Sequence, residues 1–438
     1  MNNRTRFLII LFLFSFEAFA QKKNMVTVPD IWKFNLGSEK AVEGYTPVSV
    51  SDNYSEARGY GFDFSSKPRL ISGKAKDPLK SEFVTSDMPF YFSLKVPEGN
   101  YRVTVMLGAS KFGTTSTVKA ESRRLMLENL TTKAGKYIKK SFIVHVKDRK
   151  ISAEREVGLK PRENGKLDWD DKLTLEFNSK TALNAIEIEK VEDQITVYLA
   201  GNSTVVNQEE EPWASWGQMI PRFFKPGVAI ANHAESGLSL GSFIGSRRLE
   251  KILSVIKPGD YVFVEFGHND EKEKGPHDGP YKSYTERLKL FAKEVKAKKG
   301  NLVILTPTAR RSFDTAGIMI NSHGEYPDAA RKVAVEEGVP LIDLTALTTK
   351  MYEALGPEGS KSAFVIYPEQ NLNDNTHFNP YGAYQIAKIV VQEIRNGNIG
   401  LSKFLVDMPV FDSTHPDSAS SFNWPPSPKV SKIKPDGN

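Results

Sequence analysis

The sequence predicts two folds in one chain: an all-β sandwich over residues 25–193, followed by an α/β domain with a parallel sheet over residues 194–405. The first part shows short alternating runs broken by turns, whereas the second alternates apolar strands with amphipathic helices. A length of 438 residues gives each part enough chain to bury its own core. The 39% hydrophobic and 26% charged residues are ordinary for a globular protein, which disfavours a disordered or membrane chain.

The first twenty residues have the three parts of a secretory signal peptide. Arg4 and Arg6 precede the apolar run Phe7–Phe16, and Ala18-Phe19-Ala20 is a small-x-small cleavage site. About ten apolar residues are too few to span a bilayer, which disfavours an uncleaved anchor. We therefore predict a signal peptide over residues 1–20, a periplasmic or secreted protein, and no membrane insertion after cleavage.

Two features of the composition exclude whole classes of function. The chain has no cysteine, so it has no disulfide scaffold, no thiolate nucleophile and no thiolate zinc site. Its formal net charge is +6, but the basic residues are scattered rather than grouped in a stripe, which argues against nucleic acid as a partner. The charge permits a mild attraction to a polyanionic substrate. No particular oligomeric state is predicted.

The first half of the chain reads as β-strands. Tyr91–Val96 and Tyr101–Leu107 flank the turn Pro97–Asn100, which predicts a hairpin. Further strands are predicted at Lys139–Val146, Lys172–Phe177 and Ala185–Val191. Because no long amphipathic helix interrupts them, the pattern favours an all-β sandwich.

From residue 194 onward, strands and helices alternate. The predicted strands are Ile195–Ala200, Val228–Ala231, Tyr261–Phe266, Leu302–Thr306 and Pro340–Asp343. The predicted helices are Trp216–Phe224, Phe243–Ile256, Tyr284–Lys298, Pro327–Glu337 and Ala346–Leu355. Apolar strands joined by helices are typical of a parallel sheet covered on both faces, and such sheets bind ligands at the carboxyl ends of their strands.

The α/β part ends with a predicted helix from Tyr381 to about Arg395. Asn379 is its predicted cap and Pro380 its first residue. Its predicted inward face consists of Ala383, Ile386, Ala387, Val390, Val391 and Ile394. The extension over residues 406–438 holds six prolines and no periodicity, which predicts an extended strap or a disordered segment.

A serine follows the first predicted strand of the α/β part. Ser203 comes directly after Ile195–Ala200, where the crevice of the sheet is expected, and Gly201 allows the backbone to turn sharply. A serine at a strand-turn-helix junction is more often a helix cap than a nucleophile. Taken alone, Ser203 is therefore interpreted as a cap.

Three further polar segments occupy comparable places. Asn232–Gly237 follows the second strand, Gly267–Asp270 follows the third, and Asp374–His377 comes just before the last helix. Either glycine-rich segment alone indicates only a turn. Asp374 and His377 are spaced so that the carboxylate can hold the Nδ1 proton of the imidazole while Nε2 faces outward.

Together, the four segments resemble the motifs of the SGNH (GDSL) hydrolase superfamily, which occur in this order at these strand ends. The resemblance covers about residues 195–405 and implies a flavodoxin-like three-layer domain. It also implies a catalytic triad in which Ser203 is the nucleophile, His377 the base and Asp374 the residue that orients His377.

The same resemblance implies how charge on the carbonyl oxygen is stabilised. The implied oxyanion hole consists of the backbone N–H groups of Ser203 and Gly237 and the side-chain amide of Asn269. Water would resolve the acyl-enzyme, so no metal and no cofactor are expected.

Within the superfamily, the chain resembles the rhamnogalacturonan acetylesterase branch. The shared segments are Ser203-Thr204-Val205, Glu211-Pro212-Trp213, Trp216-Gly217, Gly267–Asp270, Thr306-Pro307, Arg310-Arg311, His323–Pro327 and Asp374–His377. Many relatives carry Asp where this chain has Asn202, which is nearly isosteric and can still make turn hydrogen bonds. Trp32–Gly37 and Glu56–Phe62 resemble the start of galactose-binding-like jelly rolls, which leaves the β-sandwich either a sugar-binding or a packing role.

Four more residues are candidates for contact with the substrate. His268 lies beside Asn269 and either contacts the sugar or supports the site. Arg310 and His323 follow the fourth strand, where an arginine would suit a galacturonate carboxylate and a surface or capping role is an equal alternative. Trp213 can stack on a sugar ring or pack in the core.

The resemblance to this branch implies an esterase that removes acetyl groups from plant cell-wall polysaccharide, above all the rhamnogalacturonan of pectin, so the expected partner is an acetylated polysaccharide or oligosaccharide. One alternative is an O-deacetylase of xylan or another glycan, since a triad does not read the alcohol. Another is a non-catalytic carbohydrate-binding protein with a degenerate hydrolase domain, against which the intact triad argues. A lipase is disfavoured because no long apolar lid is seen. The acidic residues Asp168, Asp170 and Asp171 are interpreted as solvated rather than as a calcium site.

Overall fold

The computed structural model describes residues 30–37, 42–73 and 75–437. The predicted signal peptide, residues 1–20, lies outside these ranges. Among the described residues, no helix combines the length and the apolarity needed to cross a bilayer.

The N-terminal part consists of two β-sheets that share one apolar core. Its strands are β1 (Ile31–Leu36), β2 (Thr46–Val48), β3 (Tyr60–Asp63), β4 (Arg69–Ser72), β5 (Glu82–Thr85), β6 (Phe90–Lys95), β7 (Gly99–Leu107), β8 (Thr114–Ala120), β9 (Arg124–Thr132), β10 (Ile138–Val146), β11 (Lys172–Phe177) and β12 (Leu183–Val191), with a short helix α1 (Pro78–Ser81). One sheet has the order β10-β7-β12-β1-β2, with β5 joined to β12 and β4 to β5, and the other has the order β3-β6-β11-β8-β9. Phe34 and Val103 of the first sheet pack in one cluster with Phe92 and Leu175 of the second. The two sheets therefore form a sandwich.

The hairpin predicted between Tyr91–Val96 and Tyr101–Leu107 is wrong. Strand β6 pairs with β3 and β11, whereas β7 pairs with β10 and β12 in the opposite sheet. Pro97 and Glu98 thus carry the chain from one sheet to the other. A turn signal between two apolar strands does not distinguish a hairpin from such a crossover, because both arrangements bury the same side chains.

The second part is built on a five-stranded parallel sheet. Its strands are β13 (Ile195–Gly201), β14 (Val228–Asn232), β15 (Tyr261–Glu265), β16 (Asn301–Leu305) and β17 (Leu341–Ile342), in the order β14-β13-β15-β16-β17. The helices are α2 (Trp216–Met219), α3 (Leu240–Gly245), α4 (Arg248–Val255), α5 (Thr285–Ala297), α6 (Tyr326–Glu337), α7 (Leu344–Gly359) and α8 (Pro380–Asn396). A hairpin of β18 (Phe364–Tyr367) and β19 (Leu372–Phe378) precedes α8.

Alternate residues of the sheet pack against helices on opposite faces. Val197 and Leu199 of β13 belong to an apolar cluster that includes Ile386 of α8. Tyr198, between them, belongs to a second cluster that includes Phe291 of α5. The domain therefore has three layers, and the predicted alternation of strands and helices is confirmed.

Helix α8 follows its prediction closely. The Asn379 side chain accepts a hydrogen bond from Gly382 N (3.0 Å), and Pro380 is the first helical residue. The six residues predicted to face inward are all buried. By contrast, the single helix predicted over Phe243–Ile256 is two helices, α3 and α4, which are separated at Arg247 with a left-handed φ of 62°. Both helices bury residues in the same cluster, so periodicity alone did not reveal the break.

Residues 406–437 form an extended segment, which we call the strap. It contains one short 3₁₀ turn, Ala419–Ser421, and otherwise runs across both domains. Val430 forms an isolated bridge with Glu211 of the hydrolase part, and the Pro425 carbonyl accepts a hydrogen bond from Lys119 Nζ of the sandwich (2.8 Å). Of the two alternatives predicted for this extension, the extended one is observed.

The sandwich and the α/β part meet at a charged interface, which we call the interdomain seam. Arg248 Nη2 of α4 lies 2.7 and 2.5 Å from the two carboxylate oxygens of Glu163, and both side chains are fully buried. Arg124 Nη1 of β9 donates to the Ile230 carbonyl of β14 (3.0 Å). Buried ions of this kind fix the two parts in one register, since a shift would leave charges unpaired.

Candidate active site

The carboxyl ends of the parallel strands bring Ser203 beside the β18–β19 hairpin. Ser203 follows β13, and Asp374 and His377 lie in β19, immediately before α8. His377 Nε2 lies 2.8 Å from Ser203 Oγ, and His377 Nδ1 lies 2.8 Å from Asp374 Oδ2. The three residues that the sequence singled out thus form one continuous hydrogen-bonded chain.

The protonation state of Asp374 determines which group donates and which accepts in this hydrogen-bonded triad. Burial raises the pKa of Asp374, but hydrogen bonds from the His377 ring and from the backbone N–H groups of His377 and Thr376 outweigh burial and lower it to about 2. An ionised carboxylate can only accept, so His377 Nδ1 carries a proton. Nε2 of the neutral ring is then free to accept the proton of Ser203 Oγ.

The turn that holds Ser203 is built by Asn202. Its Oδ1 accepts hydrogen bonds from Thr204 N (3.0 Å) and from Thr204 Oγ1 (2.9 Å). Asn202 Nδ2 has no hydrogen-bond partner among the described residues. The amide therefore supplies the same acceptor that a carboxylate would supply at this position.

Glu265, at the end of β15, was not recognised in the sequence and ties three strand ends together. Its carboxyl oxygens accept hydrogen bonds from Trp216 Nε1 (2.5 Å) and Thr308 N (3.1 Å). They also lie 2.9 Å from Thr204 Oγ1, whose single hydrogen is shared between Glu265 and Asn202. Burial raises the pKa of Glu265 to about 7 despite these bonds. The only sequence signal was an acidic residue at the end of an otherwise apolar strand.

Two of the three residues of the expected oxyanion hole, Gly237 and Asn269, lie close together. Gly237 has a φ of 75°, and a side chain there would collide with Asp436 and Lys160. Asn269 Nδ2 donates one of its two hydrogens to the Leu238 carbonyl (3.0 Å), which fixes the amide next to Gly237.

The four candidate substrate residues differ in whether their polar atoms are already hydrogen-bonded within the protein. Neither ring nitrogen of buried His268 has a hydrogen-bond partner among the described residues, and burial lowers its pKa well below the usual range, so the ring is neutral. Arg310 and His323 both bind Glu271, at 2.6 and 2.9 Å, and His323 Nε2 also contacts the Thr308 carbonyl. Both side chains are thus already paired with other groups of the protein.

Trp213 is the fourth of these residues. It is buried, its ring lies edge-on to His377 with centroids 5.9 Å apart, and its Nε1 donates to the Ser431 carbonyl of the strap (3.1 Å). Contact with a sugar ring would require the strap to move from this position.

The strap crosses the site, which nothing in the sequence indicates. Lys434 Nζ lies 3.5 Å from Asp374 Oδ2, and the Gly437 backbone packs on the Asn269 amide. Ser203 and His377 are each only 1% exposed. No local pattern signals these contacts, because they join residues that are far apart in the chain.

A metal site needs at least three ligand side chains grouped around one point. Within residues 30–37, 42–73 and 75–437, no three His, Asp or Glu side chains are grouped as ligands for a metal ion. The interpretation of Asp168 as a solvated residue is wrong: its side chain is buried, and Asn207 Nδ2 lies 3.0 Å from each of its carboxylate oxygens.

Comparison with known proteins gives two family matches. The GDSL-like lipase/acylhydrolase family matches residues 199–384, and the beta-agarase/YXIM esterase-like, galactose-binding domain-like family matches residues 32–153. The first range contains Ser203, His377 and Asp374, and the second lies within the sandwich.

Three proteins of Bacillus subtilis are similar to this chain. Rhamnogalacturonan acetylesterase RhgT is 42% identical over 221 residues, which cover 48% of this chain and 94% of that protein. The uncharacterized esterase YxiM is 28% identical over 386 residues, 85% of this chain and 92% of that protein. The probable rhamnogalacturonan acetylesterase YesY is 32% identical over 213 residues, 48% of this chain and 97% of that protein. The chain therefore belongs to the GDSL-like lipase/acylhydrolase family of esterases and carries a galactose-binding-like domain ahead of its SGNH hydrolase domain.

Proposed function

We propose that the protein is a serine esterase that removes acetyl groups from plant cell-wall polysaccharide, with the rhamnogalacturonan of pectin as its substrate. The observation that carries the proposal is the hydrogen-bonded chain Asp374–His377–Ser203, with both links at 2.8 Å. Such a chain turns a weakly nucleophilic hydroxyl into one whose proton has a ready acceptor.

In the first step, Ser203 Oγ attacks the carbonyl carbon of an acetyl ester while its proton passes to His377 Nε2. Asp374 stabilises the resulting imidazolium. The negative charge that forms on the carbonyl oxygen is met by the N–H groups of Ser203 and Gly237 and by the Asn269 amide. When the carbon–oxygen bond to the sugar breaks, His377 returns the proton to the sugar oxygen, which leaves as an alcohol.

In the second step, water attacks the acetyl group on Ser203 and gives its proton to His377 Nε2. The tetrahedral intermediate collapses to acetic acid, which ionises to acetate in solution, and Ser203 Oγ takes the first proton back from His377. Every proton transfer uses the same imidazole, and the reaction needs only water as co-reactant.

The substrate proposal draws on the relatives and on His268. RhgT is named a rhamnogalacturonan acetylesterase, and YesY is named a probable one. His268 offers two unbonded ring nitrogens to a sugar hydroxyl. Arg310 donates to the His268 carbonyl (3.2 Å), and the His323 ring packs edge-on to His268 with centroids 4.5 Å apart, so we assign both a positioning role.

The β-sandwich, for which we propose a jelly-roll topology and limits at about residues 25–193, has two candidate roles. Its buried charges at the interdomain seam favour packing against the hydrolase domain, which we propose to span residues 194–405. Binding of the polysaccharide chain is the other role. We also propose export through the signal peptide, which would bring the enzyme to its polymeric substrate.

The test is acetate release from acetylated rhamnogalacturonan by the purified protein, with acetylated xylan measured in parallel. Ser203→Ala should abolish release, and Ser420→Ala, an exposed serine in the strap, should leave it unchanged. The proposal is supported if acetate is released from the pectic polymer and if Ser203→Ala, but not Ser420→Ala, abolishes that release. Release from xylan alone would keep the triad and replace the substrate.

The proposal fails if no glycan ester is cleaved, or if activity survives Ser203→Ala. A protein that binds pectic polymer but cleaves neither polymer would instead be a non-catalytic carbohydrate-binding protein.

A further inference from the structure

The last residues of the strap, 431–437, cover the active site. The strap contacts Trp213 beside His377 through the Ser431 carbonyl, then brings Lys434 to Asp374, and packs Gly437 on Asn269. Because Ser203 and His377 are 1% exposed, an ester reaches Ser203 Oγ only after this segment has moved. The structure thus shows a closed state, and the last residues of the strap lie where substrate has to enter.

Three cations meet the end of the strap. Arg162 Nη1 lies 2.5 Å and Lys160 Nζ 3.7 Å from Asp436 Oδ2, and Lys272 Nζ donates to the Gly437 carbonyl (2.7 Å). Lys160 and Lys272 line a cavity of about 410 Å³ together with Gly237, Asn269 and the strap. The cluster, defined as Lys160, Arg162 and Lys272, is therefore adjacent to the oxyanion hole.

Only part of this positive charge is neutralised by fixed groups. Glu235 is shared between Arg162 (3.0 Å) and Lys166 (3.0 Å), so it compensates one of the two. Glu273, the other carboxylate that lines the cavity, binds Arg287 at 2.5 Å. Removal of Asp436 would leave the cluster with a surplus of positive charge beside the reacting ester.

The Asp436 carboxylate can separate from the three cations at little cost in stability. Its side chain is 59% exposed, and ion pairs between exposed groups contribute little to stability. The Arg162 and Lys160 side chains are only about one third exposed and also donate to the Ser236 carbonyl, so their positions depend less on Asp436. A carboxylate from solution can replace Asp436 with little rearrangement of the cations.

We propose that Lys160, Arg162 and Lys272 form a carboxylate-binding subsite, which Asp436 occupies in the closed state and the carboxylate of a uronate sugar occupies when substrate binds. This inference rests on the proposed esterase function of Ser203. It adds a requirement that the acetylated sugar, or its neighbour in the chain, carries an acid. Competition between Asp436 and the substrate then couples opening of the strap to recognition of an acidic glycan.

The test uses digalacturonate as a competitive inhibitor of 4-nitrophenyl acetate hydrolysis, with the corresponding neutral galactose disaccharide as the comparison. Digalacturonate should inhibit the unmodified protein at least about tenfold more strongly than the neutral disaccharide, since charge-assisted hydrogen bonds are the stronger class. Lys272→Gln should weaken inhibition by digalacturonate roughly tenfold, and Lys272→Arg, which keeps the charge, should restore most of it.

The strap is tested with a matched pair of variants. Asp436→Asn should strengthen inhibition by digalacturonate about threefold, because the internal competitor loses its charge. Asp412→Asn makes the same chemical change in the strap, where the carboxylate bonds to Thr414 and His415, and should change nothing. Equal inhibition by both disaccharides, no effect of Lys272→Gln, or equal effects of the two Asp→Asn changes would each overturn the proposal.

Failure of the subsite and failure of the proposed function give different results. If acetate is released from rhamnogalacturonan but digalacturonate does not inhibit ester hydrolysis, the subsite is wrong and the function stands. If digalacturonate inhibits in the charge-dependent way but no glycan is deacetylated, the subsite stands and the natural substrate is a different acidic ester.

Discussion

The active site and the interdomain seam both bury ionic groups, but they use them for different purposes. At the seam, the Glu163 carboxylate is bound by Arg248, and both side chains are fully buried. At the active site, Asp374 is bound by His377, whose other nitrogen contacts the neutral hydroxyl of Ser203. At the seam, the partner of the carboxylate is the permanently charged Arg248. In the triad, the last group is the Ser203 hydroxyl, which can lose its proton and form a bond.

The difference teaches that burial of a carboxylate does not by itself indicate a catalytic role. What distinguishes Asp374 is the ability of its partner to change protonation state, while an arginine partner remains charged at any accessible pH. Substitutions at the active site should therefore change the rate, and substitutions at the seam should change the free energy of unfolding.

The largest effect is expected for Asp374→Asn. An amide cannot hold His377 in the tautomer that accepts the Ser203 proton, so kcat for an acetyl ester should fall about 10⁴-fold. Steady-state kinetics measure the loss, and Asp407→Asn, at a fully exposed position, is the matched control. A kcat within tenfold of the unmodified enzyme would mean that Asp374 does not orient the imidazole.

Next in size is Arg248→Met, which leaves the Glu163 carboxylate buried without its partner. The free energy of unfolding, measured by urea denaturation, should fall by about 3–5 kcal/mol, with kcat of the folded enzyme unchanged. The control Arg155→Met breaks an exposed pair with Glu250 and should cost less than about 1 kcal/mol. Similar costs for the two arginines would contradict a structural role for the seam.

A smaller effect is expected from Glu265→Gln, and it depends on pH. Burial raises the pKa of Glu265 to about 7, so the folded state holds a proton that the unfolded chain releases near its ordinary value of 4.5. Between these values the free energy of unfolding should fall by on the order of 3 kcal/mol as pH rises.

Glu265→Gln should remove that component, so its stability relative to the unmodified protein improves with rising pH. Urea denaturation below and above this window measures it. The contribution of Asp374 to stability has the opposite dependence on pH. Because the pKa of Asp374 is lowered to about 2, the ionised carboxylate stabilises the fold above its ordinary pKa of 3.8, and this contribution is lost as pH falls through about 2. A pH-independent effect of Glu265→Gln would show that Glu265 is ionised in the folded protein throughout this range.

The smallest effect is expected for Asn202→Asp. The change keeps the acceptor used by Thr204 and removes an Nδ2 that has no hydrogen-bond partner among the described residues. The kcat should stay within about threefold of its original value, a change of less than 1 kcal/mol in the barrier. A larger loss would indicate that the neutral amide is needed next to Ser203.

Features with a local cause were predictable from the sequence. The cap and the inward face of α8 follow from helical spacing, and β11 has the predicted ends because its alternation is bounded by turns. Asp374 and His377 are three residues apart, so their contact is nearly a property of the segment itself.

Features that depend on distant residues were not predictable. The pairing of β6 and β7 in different sheets depends on which strands compete for their edges, and the turn between them carries no such information. Lys160 and Arg162 come from the end of the sandwich part and meet Asp436 of the strap, more than 270 residues later in the chain. The role of Glu265 is not visible in the sequence, because its three partners come from three different segments.

The strap also has a consequence for how such proteins can be recombined. Lys119 and Glu176 of the sandwich are nearly fully buried under it, with Ser427 Oγ bonded to Glu176 (2.7 Å) and Lys119 Nζ located 4.3 Å from the centre of the Trp424 ring. A sandwich transplanted onto another hydrolase would expose these charges unless residues 424–427 travelled with it. The sandwich and the strap thus form one packing unit in this protein, although the entire hydrolase domain separates them in the sequence.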